Sequence, residues 1–163
     1  MNLGASKPTL IETYIDSASS PDDKFTNLSK TIDSWDQELV PKNQKLVFHY
    51  TSWDTARKII ADGAFRMSDS GMGGPGVYFT KISPANPFKS VFWPSDAWKE
   101  AMLKDSFGDN WSNRKDASES VIISHAPTEL LKQVHNRPSG LVVLELYVTH
   151  IKLIHAVQLY AEH

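Results

Sequence analysis

Two short stretches of the chain hold residue types that can handle a nucleotide. His49-Tyr50-Thr51-Ser52 follows the apolar run Leu46-Val47-Phe48, and further on a glycine-rich segment leads into Val77-Tyr78-Phe79-Thr80. An imidazole and nearby hydroxyls can exchange hydrogen bonds with ribose, and aromatic faces can lie on a flat heterocycle. Each residue also has a plainer use, because a buried His or Tyr can bond one backbone group and pack its ring. It is the pair, together with Thr51 and the loop before Tyr78, that suits a nucleotide pocket.

The glycines Gly71, Gly73, Gly74 and Gly76 superficially suggest a dinucleotide fingerprint. Such a fingerprint joins a strand to the helix whose N-terminus receives the pyrophosphate, whereas these glycines precede a strand. What remains is a turn with little side-chain bulk, able to let backbone amides approach a ligand. The chain has no cysteine, so thiol nucleophiles, disulfides and thiolate metal sites are excluded. His150 and His155 would project to opposite faces of a strand, which implies no metal. No G-x-S-x-G or H-E-x-x-H motif is present.

The elements that must position these residues can be read from periodicity. Phe25, Leu28, Ile32, Trp35 and Leu39 recur at helical spacing, and Ser17 to Asp23 forms a loop or cap before them. Leu10 to Ile15 is a weaker, ambiguous amphipathic stretch. Leu46 to Phe48 reads as a buried strand, followed by a helix capped by Ser52 at one end and Gly63 at the other. Residues 68–76 form a turn into the strand Val77 to Thr80. A helix after Pro94, capped by Ser95, turns Trp98, Met102 and Leu103 inward and stops before Gly108, and Asp105 to Ser118 reads as a polar loop. Strands are expected over Ser120–Ser124, Leu141–Val148 and Ile151–Tyr160, with a helical turn near Thr128–Val134. Helices early and strands late predict an α+β domain.

With 163 residues, 40% hydrophobic and 22% charged, the chain has the make-up of one globular domain. A formal net charge of -2 gives no basic field for collecting nucleic acid or anionic membrane. No apolar run is long enough for a membrane span, and the N-terminus lacks the pattern of a secretory signal. A cytoplasmic location is expected.

FHYTS, an Ile-Ile-x-x-Gly helix end and GPGVYFTKISP, in that order, resemble ADP-ribosyltransferase toxins with a His-Tyr-acid signature. The resemblance covers roughly Lys45 to Pro87 and fades toward both ends. It implies a split, mostly antiparallel sheet with flanking helices, NAD as co-substrate, and a catalytic domain over 45–163 with residues 1–44 as a helical extension packed on it. It also implies that His49 holds a ribose, that Tyr78 packs on nicotinamide, and that Tyr50 and Thr51 present backbone to the carboxamide. Gly76 and Phe79 complete the expected cofactor-binding set.

The family's third member is an acid near the start of a later strand, which steadies the charge left on the ribose as nicotinamide departs. Glu119, immediately before Ser120-Val121-Ile122-Ile123, is the expected residue. Glu145, on an otherwise apolar strand face with Leu141, Val143 and Tyr147, is the competitor, and Asp116 is third. Lys81 stands after GVYFT where some relatives carry an acid. The implied activity is transfer of ADP-ribose to a macromolecule, protein rather than nucleic acid, by a toxin or effector that an immunity protein can inhibit and that can be delivered into another cell. NAD glycohydrolysis and an inactive binding module are the alternatives. Phosphoryl-ribose chemistry on RNA would want several Arg or Lys lining the pocket, and only Arg57 and Arg66 lie near the first motif.

Overall fold

The computed structural model describes residues 20–67 and 75–160, together with the backbone of a short strand at Thr9–Ile11. In chain order the elements are β1 (Thr9–Ile11), α1 (Pro21–Leu39), β2 (Gln44–Thr51), α2 (Trp53–Asp62), β3 (Gly76–Thr80), α3 (Asp96–Phe107), β4 (Ser120–Pro127), β5 (Lys132–Gln133), β6 (Gly140–Leu144) and β7 (Lys152–Gln158). They form one sheet in the order β1-β7-β4-β2-β3-β6-β5. Strands β2 to β7 pair antiparallel with their neighbours, and β1 joins the edge parallel to β7. The fold is α+β with helices flanking an antiparallel sheet.

Local chemistry explains where the helices begin and end. Ser20, Ser52 and Ser95 each accept a backbone N–H from the first turn of α1, α2 and α3, and each such cap contributes about 1 kcal/mol. Gly63 ends α2 at φ 75°, a left-handed conformation that returns its N–H to Ile59 and Ile60. Helix α1 buries Leu28 and Ile32, while Trp35 stacks on His155 with ring centroids 4.3 Å apart. The expected stripe therefore forms, except that Leu39 at its end is exposed.

Alternation along β2 feeds two cores, one on each face of the sheet. Phe48 and Tyr50 join Leu28, Trp98, Met102, Val121 and Ile123 beneath α1 and α3. Val47 joins Ala56, Ile59, Ile60, Val77, Phe79 and Ile122 beneath α2. Both cores continue through β4, whose buried residues come from both faces.

Several expected boundaries differ. Strand β6 stops at Leu144, and Glu145–His150 forms a 3-10 turn with Glu145 exposed, not a strand continuing to Val148. The reason is pairing: β3 begins at Gly76, directly opposite Leu144, so β6 has no β3 neighbour beyond that point. The apolar strand face that would have held Glu145 does not exist. The helical turn near Thr128 is a 3-10 turn over Thr128–Leu130, followed by β5. The loop Asp105 to Ser118 is instead the end of α3 and two 3-10 turns, Gly108–Asn113 and Lys115–Ser118. Of Leu10 to Ile15, the described part is strand. Most of the glycine-rich turn, residues 68–74, lies outside the described residues.

Gly76 pins β3 to β6 at unusually close range. A Cβ there would lie 2.5 Å from the Val143 carbonyl oxygen and 2.9 Å from a Val142 methyl, so the backbones would have to move apart. Gly76→Ala is expected to lower stability by about 1–3 kcal/mol, read as a reduced midpoint of urea unfolding. An unchanged midpoint would contradict this close approach.

Candidate functional site

The ladder between β2 and β3 is the narrowest in the sheet. On its other side β2 pairs with β4 along its whole length, from Gln44↔Pro127 to Thr51↔Ser120. Toward β3 the register contains the single pair Phe48↔Thr80. Past that pair the strands separate, and a side chain takes over a hydrogen bond: His49 Nδ1 lies 2.8 Å from the Tyr78 carbonyl oxygen. On the other side of the bridge, beyond the end of β3, the Tyr50 hydroxyl donates to the Ile82 carbonyl at 2.7 Å. The opened seam holds a cavity of about 730 Å³, within the volume range of small-molecule sites.

All six expected ligand-binding residues border this cavity: His49, Tyr50 and Thr51 from β2, and Gly76, Tyr78 and Phe79 from β3. They do so in different ways. The half-buried His49 ring packs edge-on against Phe65 and Phe79, with centroids 5.2 and 6.1 Å away, which places it on the α2 side. Tyr78 alternates with Val77 and Phe79 and so projects from the opposite face, where it is half-buried. A ligand in the seam can meet both faces. Tyr50 is a structural side chain whose buried ring leans on Trp98, and burial raises its hydroxyl pKa well above the ordinary value.

Glu119 is not among the residues that border the cavity. It stands just ahead of β4, and its Oε1 accepts the N–H of Trp53 at 3.0 Å, the first residue of α2. Its neighbour Ser120 donates to the Thr51 carbonyl at 2.6 Å, so Glu119 is tied to the open end of β2. Asp116 and Glu145 are exposed and also lie off the cavity lining. The one carboxylate in the lining is Asp105, from the last turn of α3, which periodicity assigned to a loop.

The tautomer of His49 follows from its partner. A carbonyl can only accept, so Nδ1 carries the proton and Nε2 of the neutral ring is an acceptor. Burial lowers the His49 pKa from the ordinary 6.5; the bond to Tyr78 opposes that shift, and the positive charge of Arg114 adds to it. The ring is neutral at pH 7.

Sequence spacing points to only one of the cavity's three arginines. Arg66, Arg114 and Arg137 all border it, coming from the segment after α2, the turn between the two 3-10 helices, and the connection from β5 to β6. Only Arg66 was near a motif. The other two are far from both motifs in sequence, and no local pattern marks them.

The chain matches no protein-family model, and no curated protein sequence matches it.

The lowered His49 pKa has a consequence for stability. As pH falls through the ordinary 6.5, the unfolded chain takes up a proton that the folded His49 still refuses. Stability from this group is complete above about pH 6.5 and is lost as pH falls toward the folded value. His125, lowered by burial and by Lys152, contributes in the same direction. Urea unfolding across this window should show a steeper decline for the wild type than for His49→Gln. Equal slopes would contradict the assignment of an imidazole held neutral in the folded chain.

Proposed function

We propose that the chain is an NAD-dependent ADP-ribosyltransferase acting on a macromolecular target. The observation that carries this reading is the convergence of the two motif segments, distant in sequence, on one cavity at a parted seam between β2 and β3. The reaction asks little of the protein beyond this. The bond from the ribose C1′ to the nicotinamide nitrogen breaks with its electron pair leaving on nicotinamide. The acceptor's nucleophile then attacks C1′ and loses its proton.

Each motif residue has a use in that step. His49 Nε2 accepts from a ribose hydroxyl and orients the sugar. The Tyr78 ring covers the nicotinamide, and the backbone at Tyr50 and Thr51 meets its carboxamide. Glu119 is the carboxylate assigned to the charge opposite the developing cation. It lies outside the cavity lining but is tied to the open end of β2, with Oε1 held by the Trp53 N–H, so it serves this role only if its side chain is brought to the ligand. Water can intercept the same cation, which would make the chain an NAD glycohydrolase. The resemblance of the two motifs to toxins makes a toxin or effector controlled by an inhibitory partner the setting proposed for either activity.

The test is chromatographic detection of nicotinamide released from NAD, with and without a cell lysate as acceptor. Release that depends on lysate supports transfer, and release without it supports hydrolysis. No release from a folded protein that binds NAD would favour an inactive binding module. Glu119→Gln is expected to lower turnover by about 10²–10³-fold with NAD affinity kept, and Tyr78→Ala to weaken NAD binding. If Asp105→Asn abolishes turnover and Glu119→Gln does not, the charge-stabilising carboxylate is the one lining the cavity.

A further inference from the structure

We propose that Arg114 and Arg137 form a phosphate-binding subsite at the α3 end of the cavity, which takes the diphosphate of NAD or a phosphate carried by the acceptor. The proposal deepens the reading above by naming what this part of the cavity holds, and it stands with any phosphorylated ligand.

Charge is the first ground. The cavity lining holds three arginines against the single carboxylate of Asp105, a formal +2 in a chain whose net charge is -2. Among the described residues Arg66 has a carboxylate partner, Asp62 at 3.5 Å, while neither Arg114 nor Arg137 has an ion pair.

Position is the second. The Arg114 guanidinium lies over the Phe107 ring, 4.5 Å from its centroid. Arg137 comes from the other half of the sheet and rests against the next residue. A Cβ on Gly108 would stand 2.7 Å from Arg137 Nη2, and Gly108 has φ 60°, where a side chain would also be strained. Arg137 Nη1 donates to the Asn136 carbonyl at 2.9 Å, which uses one of its five N–H groups. Two guanidiniums are thus brought from separate segments to consecutive residues at the end of α3. The carbonyl end of a helix attracts cations, and that accounts for one of them. Two like charges at one step repel, and an oxyanion between them would accept forked hydrogen bonds from both. Asn110 and Asn113 border the same region and add amide donors.

Calorimetric titration with inorganic pyrophosphate tests the subsite without assuming NAD. The wild type should bind it, more weakly as salt is raised, and Arg114→Gln and Arg137→Gln should each reduce affinity about tenfold or more. Urea midpoints of both variants should stay near wild type; Arg114→Lys, which keeps charge but loses the fork, should show an intermediate affinity. Absence of pyrophosphate binding, or equal binding by wild type and both glutamine variants, would overturn the proposal. Competition identifies the source. Pyrophosphate displaced by NAD assigns the subsite to the dinucleotide, and pyrophosphate bound beside saturating NAD assigns it to a phosphorylated acceptor. Pyrophosphate binding that depends on both arginines, with no NAD binding at all, keeps the subsite and removes the NAD reading.

Discussion

The hydrogen bond from His49 Nδ1 to the Tyr78 carbonyl is the interaction on which the site depends. In an unbroken antiparallel sheet that carbonyl would be served by the backbone or would point to another strand. Here an imidazole satisfies it at 2.8 Å. The Tyr78 carbonyl, which an open seam would leave without a donor, is therefore paired, and the strands can part after one bridge without orphaning it. The same bond fixes the His49 tautomer. One contact opens the cavity and determines which ring nitrogen faces it.

Everything around the seam holds the two halves at that separation. On one side β2 is locked to β4 along its length, and Ser120 secures the Thr51 carbonyl. On the other, the missing Cβ of Gly76 lets β3 sit tightly on β6. Cores on both faces of the sheet bury the flanking residues, with α1 and α3 on one face and α2 on the other. Rigid halves and a parted middle are what a preorganised ligand site needs, because positioning then costs little when the ligand arrives.

Much of this was legible in the sequence where the signal is local. Serine caps, the left-handed Gly63, the helical stripe from Phe25 to Trp35 and the inward set Trp98, Met102 and Leu103 all come from short-range chemistry and form as expected. His49 and Tyr78 were also marked by their surroundings. The remainder depended on pairing between distant strands. The alternation of Leu141, Val143, Glu145 and Tyr147 reads as a longer strand, yet β6 ends where β3 does. Arg114 and Arg137 become part of the site only because α3 and the β5–β6 connection meet across the seam, a contact that neither segment encodes alone. Glu119 has the expected place before a strand, while its anchoring on the first residue of α2 is a tertiary fact.

The most direct measurement is nuclear magnetic resonance of the His49 imidazole and the Tyr78 ring during titration with NAD. The His49 Nε2 and Tyr78 ring signals should shift together and saturate, with the Nδ1 proton bonded to Tyr78 retained. Saturable NAD binding that leaves both residues unmoved, or the absence of any NAD binding by the folded chain, would contradict the proposed NAD site.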